Sequence, residues 1–127
     1  MPGFVGLILV DTSVWIDHFH HDDAALVQFL KDRVVVMHPV VLGELLGGSG
    51  IPRKYQQALV NLPRIPADSA DDVLAFIVER LRGAGVGWAD AHILLSTMRQ
   101  GAGLWTRDGN LAEIAGALLP RVNPWKP

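Results

Sequence analysis

The sequence predicts an α/β fold, a small, mostly parallel sheet flanked by helices. Three observations lead there. Two short runs, Leu7-Ile8-Leu9-Val10 and Val34-Val35-Val36-Met37, are wholly apolar with no polar alternation, as expected of strands covered on both faces. The longer segments between such runs repeat apolar residues with a helical period. Glycine and proline mark most of the joins. The resulting order (strand, helices, strand, helices, strand, helix, strand) is that of a parallel sheet with helical crossovers.

Each element has its own grounds. The first strand ends on Asp11, and Thr12 or Ser13 can cap a helix with Trp15, Ile16 and Phe19 as its apolar stripe. His20–Asp23 reads as a polar break. Ala24–Lys31 follows as a helix with Leu26, Val27, Phe29 and Leu30 inward. After the second strand, Pro39 opens a helix at the position where a missing N–H costs nothing, and Gly47, Gly48 and Gly50 end it. Arg53–Leu62 is a polar-faced helix closed by Pro63 and Pro66. Asp68 or Ser69 caps a helix over 70–82 with Val73, Leu74, Ile77, Val78 and Leu81 as its stripe. Past the linker glycines Gly83, Gly85 and Gly87, a helix runs from Trp88 to Arg99 and stops at Gly101. Leu104–Thr106 is a third strand, Asn110 a cap for Leu111–Leu119, and Arg121–Asn123 a last short strand.

The whole reads as a single domain over residues 1–127, with 1–6 as a lead-in and 124–127 as a tail. A chain this long buries roughly two-thirds of its unfolded surface. With 50% hydrophobic and 19% charged residues, it is not a disordered chain. No apolar run nears the about 20 residues of a membrane span, and no basic region precedes Leu7 as in a signal peptide. The absence of cysteine excludes disulfides and thiolate metal sites and fits a cytoplasmic protein. A net charge of −2 argues against gripping nucleic acid by bulk charge, so any such chemistry must come from a local site.

Four acids are placed awkwardly for merely solvated charges. Asp11 ends an apolar strand, and Glu44 is the one charge in its apolar helix. Asp90 lies in a first helical turn between two alanines, and Asp108 follows an apolar strand. In an open α/β sheet the functional crevice lies beyond the carboxyl ends of the strands, where these residues converge. Each has a local alternative: a helix cap for Asp11, a dipole partner for Asp90, a turn residue for Asp108, a solvent-facing gap for Glu44. Their joint placement favours a cluster. Two carboxylates about 4 Å apart repel by roughly 4 kcal/mol at an effective dielectric near 20, a penalty that a divalent cation removes. All-oxygen donors select Mg²⁺ or Mn²⁺, and Mg²⁺ retains the waters that phosphodiester hydrolysis uses.

Four segments in this order resemble a PIN domain of the VapC toxin type. They are Leu9-Val10-Asp11-Thr12-Ser13-Val14-Trp15-Ile16-Asp17, Pro39-Val40-Val41-Leu42-Gly43-Glu44-Leu45, Trp88-Ala89-Asp90-Ala91-His92-Ile93-Leu94 and Leu104-Trp105-Thr106-Arg107-Asp108. The resemblance implies a three-layer α/β/α fold and a Mg²⁺- or Mn²⁺-dependent endoribonuclease acting as the toxin of a type II toxin–antitoxin pair. It implies an acidic pocket at Asp11, Glu44, Asp90 and Asp108, supported by Thr12, Ser13 and Thr106, with cleavage leaving a 5′-phosphate and a 3′-hydroxyl. It also implies a homodimer and a VapB-type antitoxin that blocks the pocket. Leu111 departs from the aromatic that many members carry after the last acid, and Gly109 is also less usual.

Two rivals remain: a PIN-type nuclease of RNA maturation, and a non-catalytic acidic module that docks a basic partner. Arg53, Lys54, Arg99 and Arg107 are candidates for holding RNA phosphates, or are scattered solubilising charges. Trp15 and Phe19 form either core or a groove for an antitoxin helix. The histidines at 18, 20 and 21 read as a solvated loop, His38 as a surface turn residue, and His92 as lying on a different helix face from Asp90. The glycine clusters lack the sequence of a phosphate loop, and Ser13 has no histidine partner for nucleophilic catalysis.

Overall fold

The computed structural model describes residues 6–48 and 51–123. The lead-in before Gly6, Gly50 and the tail 124–127 lie outside them.

The sheet contains β1 (Ile8–Val10), β2 (Val35–Val36) and β3 (Gly103–Trp105) in the order β2-β1-β3, with both pairings parallel. The central strand hides every side chain, because a three-stranded sheet leaves its middle strand no open face once helices cover it. Its hydrogen bonding continues one residue further, where the Asp11 amide donates to the Trp105 carbonyl at 2.9 Å. Single bridges extend the sheet on both sides, Met37 to Arg64 and Leu104 to Val122. The expected last strand is thus one such bridge.

Seven α-helices among the described residues surround the sheet: α1 (Thr12–His21), α2 (Ala24–Lys31), α3 (Pro39–Gly47), α4 (Arg53–Asn61), α5 (Ala70–Phe76), α6 (Trp88–Gln100) and α7 (Gly109–Gly116). α3 packs against α1, α4 and α6, and α5 against α6. Leu9, Val14, Leu26, Met37, Val41, Ile93, Leu94 and Leu104 form the centre of the core.

Several local expectations change. α1 runs through His20 and His21, and the chain breaks at Asp22, whose φ of 43° is left-handed. Asp11, not Thr12 or Ser13, occupies the N-cap position of α1. Ile16 and Val27 face outward, because α1 and α2 each bury a narrower stripe than hydrophobicity alone suggests. Ser69 caps α5 by accepting from the Asp72 amide, and the regular helix gives way at Ile77 to a π-helical turn through Leu81. In that segment Leu74 and Val78 are exposed, while Phe76 is buried with Val73 and Leu81. Asp108 rather than Asn110 caps α7, accepting from the amides of Asn110 and Leu111.

Candidate active site

Asp11 lies at the first position after β1, and the parallel register that pairs Val10 with Trp105 sets it beside Thr106. Thr106 Oγ1 donates to Asp11 Oδ2 at 2.8 Å, and Ser13 Oγ donates to the same oxygen at 2.9 Å. Asp11 has the backbone angles of a helix cap but makes no side-chain cap bond. Its carboxylate is turned instead toward the sheet end, where only 7% of the residue is exposed. The two hydroxyls also serve the next segment: the Asp108 amide donates to Thr106 Oγ1 at 3.0 Å and the Arg107 amide to Ser13 Oγ at 3.0 Å. Thr106 and Ser13 therefore fix the Asp11 carboxylate and the path to Asp108 together.

Asp90 sits in the first turn of α6, after the cap residue Gly87. Its carboxyl is pushed up from 3.8 to about 6, first by burial and then by the negative charges of Asp11, Asp108 and Glu44. The four acids named from the sequence are thus brought within electrostatic reach of one another from three helix N-termini and from α3. Helix N-termini favour negative charge by about 0.3–1 kcal/mol each, which eases the clustering without removing it.

Glu44 differs from its expected setting. It is exposed rather than enclosed by its apolar helix, since the Thr12 hydroxyl reaches it from α1, Oγ1 to Oε1 at 2.7 Å. Asp108 is exposed as well, with Oδ1 held by two backbone amides. Among the described residues no three His, Asp or Glu side chains are grouped closely enough to hold a metal ion as they stand. The donor types suit a hard cation: oxygen-only carboxylates, three of which raise the Asp90 carboxyl by their charge.

Two candidate phosphate contacts are engaged elsewhere. Arg99 bridges Asp68 at 2.6 Å and Asp72 at 2.9 Å, and Arg107 bridges Asp23 at 2.8 Å and Asp17 at 3.3 Å. His38 is fully buried, not a surface turn residue. Its Nδ1 accepts from the Val40 amide as the cap of α3, and its Nε2 meets Ser96 Oγ at 3.0 Å. Ser96 in turn donates to Asp68 Oδ2 at 2.8 Å. The sequence reading passed over Ser96, although a small polar residue among the apolar neighbours of α6 is itself a signal that a buried partner exists.

The PIN domain sequence profile matches residues 8–117. The chain belongs to the PIN-domain family. Ribonuclease VapC32 of Mycobacterium tuberculosis, in strains H37Rv and CDC 1551, is 44% identical over 124 residues, covering 92% of this chain and 100% of the relative. Among solved structures, FitAcB from Neisseria gonorrhoeae superposes with a TM-score of 0.67 at 20% identity, covering 95% of this chain and 100% of that one. PAE2754 from Pyrobaculum aerophilum gives 0.61 at 20% identity, covering 86% of each. At that identity the two structures speak for the fold of this PIN domain alone.

Proposed function

We propose that this PIN domain is a VapC-type toxin, a divalent-cation-dependent endoribonuclease that hydrolyses RNA phosphodiester bonds at Asp11, Glu44, Asp90 and Asp108. The observation that carries the reading is the Asp90 carboxyl, raised to about 6 by burial and by three like charges from separate elements. A half-buried acid facing three like charges is a place where a divalent cation would relieve repulsion. The 44% identity to a protein named a ribonuclease supports the choice of substrate.

Asp11, Asp90 and Asp108 would hold Mg²⁺ or Mn²⁺, directly or through water. An ion held there would supply positive charge for the phosphate oxygens and would lower the pKa of water. Ser13 and Thr106 keep the Asp11 carboxylate from swinging back to cap α1. Glu44, steadied by Thr12, orients the attacking water and takes its proton. The exposure of Glu44 and Asp108 leaves the mouth of the site open to a polymer.

The partners follow. Trp15, Phe19, Leu30, Tyr55, Ala58 and Leu62 line an apolar groove among α1, α2 and α4, the seat of a helix from a VapB-type antitoxin. The toxin acts as a homodimer in the cytoplasm; no helix among the described residues is long and apolar enough to cross a membrane.

Purified protein incubated with RNA and Mg²⁺ or Mn²⁺ tests the reading, beside EDTA and the Asp90→Asn variant. Discrete fragments that need both the metal and Asp90 are expected. Cleavage that persists in EDTA and in the variant would remove the mechanism.

A further inference from the structure

The chain Asp68–Ser96–His38 has one consistent proton assignment. A carboxylate only accepts, so the single hydroxyl proton of Ser96 goes to Asp68 Oδ2. Ser96 must then accept from His38, which fixes the proton on Nε2. Nδ1 is left with its lone pair, and it accepts from the Val40 amide. His38 is therefore neutral, and every member of the chain has its partner. Asp68 is held from the far side by Arg99, Nη1 to Oδ1 at 2.6 Å. Ser96 does not act as a nucleophile in this arrangement, because the imidazole donates to it rather than taking its proton.

The elements so joined are the two helices that carry Glu44 and Asp90. His38 caps α3 and Ser96 lies in α6, which packs against α3. Glu44 is six residues beyond His38, and Asp90 is six residues before Ser96. Both acids stand on helices that pack directly against each other, so the spacing of α3 and α6 bears on both. Glu44 lies within electrostatic reach of Asp90. The His92 ring, one turn before Ser96, also meets the start of α3, lying 6.4 Å from the His38 ring.

We propose that His38, Ser96 and Asp68 are positioning residues, a buried brace that sets the separation of Glu44 and Asp90 and so the grip of the acidic site on its divalent cation. The proposal rests on the metal-site reading above. None of the three touches the reacting atoms. They act through the spacing of α3 and α6, as outer partners orient ligands in metal sites generally.

Three variants separate bracing from folding. Ser96→Ala removes the central hydroxyl. His38→Asn keeps a good cap for α3 but is too short to reach Ser96. Asp68→Asn keeps an acceptor for Ser96. Mn²⁺ affinity by titration calorimetry is the first readout, with thermal unfolding alongside and the kcat and KM of RNA cleavage third. We expect Ser96→Ala and His38→Asn to stay folded at 20 °C and bind Mn²⁺ about ten-fold more weakly, with kcat reduced and KM for RNA unchanged. Asp68→Asn should stay within about two-fold of the native protein. Native Mn²⁺ affinity in both brace-breaking variants, with the native protein binding normally, overturns the brace and leaves the nuclease reading standing. If the native protein itself binds no Mn²⁺, the metal-site reading falls and takes the brace with it.

Discussion

At Asp90 the demands of folding and of the site oppose each other. Its carboxyl titrates at about 6 in the folded chain against 3.8 ordinarily. Between those values the folded state binds more protons than the unfolded one, so this residue lowers stability as pH rises from 3.8 to 6, and the loss is complete above 6. About two units correspond to roughly 3 kcal/mol, reduced to about 1 kcal/mol by solvent screening at a partly exposed group. Asp90→Asn should therefore be more stable than the native protein by about 1 kcal/mol at pH 7.5, with the difference gone by pH 4. Urea unfolding at the two pH values measures it, and equal stability at pH 7.5 would contradict the clustering. His38 has the reverse sign. Burial, and then His92, lower it from 6.5 to about 4 against the opposing pull of Asp68. Its contribution is present above 6.5 and lost as pH falls toward 4. The two effects offset each other in the native protein between pH 6 and 4, so Asp90→Asn should also lose stability on acidification more steeply. Asp90 was legible in the sequence because an acid between two alanines at a helix start is locally odd. His38 was not, since its partners lie 58 and 54 residues away and nothing beside Pro39 announces them.

At the scale of elements, the carboxyl ends of β1 and β3 form one unit. Thr106 serves two roles with one hydroxyl: its proton goes to Asp11 and its lone pair takes the Asp108 amide. Thr106→Val keeps the shape and removes both bonds. We expect a stability loss of about 1–3 kcal/mol, because the buried Asp11 carboxylate loses a donor and the Asp108 amide its acceptor. We also expect RNA cleavage to fall at least ten-fold as Asp11 gains freedom to turn. Chemical denaturation and cleavage rates check both, and a variant as active as the native protein would show Ser13 alone sufficient. The strands and most helix starts were readable, because unbroken apolar runs, Pro39 and Gly101 act locally. The caps of α1 and α7 were misplaced by one or two residues for a physical reason. From sequence Asp11 stood between cap and site and Asp108 between turn and site, and only the three-dimensional hydrogen-bond network decides. Asp11 is turned away from its helix; Asp108 caps α7 with Oδ1 and still contributes charge to the site.

For the whole molecule, α1 ties the groove to the acids. Its first residue, Thr12, holds Glu44, and one turn later Trp15 begins the apolar wall continued by Phe19, whose ring stacks on Tyr55 at 5.2 Å. Thr12 and Trp15 are three helical residues, about 4.5 Å of axis, apart, so a helix seated in the groove would lie toward the Glu44 side of the site. A basic residue just beyond it could neutralise the same charges that the metal does. Inhibition by an antitoxin would then depend on the groove, while catalysis by the free toxin would not. Ala58 separates the two, being exposed, on α4 and in the groove wall. Ala58→Glu places a charge against an incoming apolar face at little cost to a helix that tolerates glutamate. The variant should cleave RNA at the native rate and bind the antitoxin at least ten-fold more weakly, measured by calorimetry and by protection of RNA. Full inhibition of Ala58→Glu would move the antitoxin off this groove, and loss of cleavage without antitoxin would mean that substrate RNA uses α4 as well.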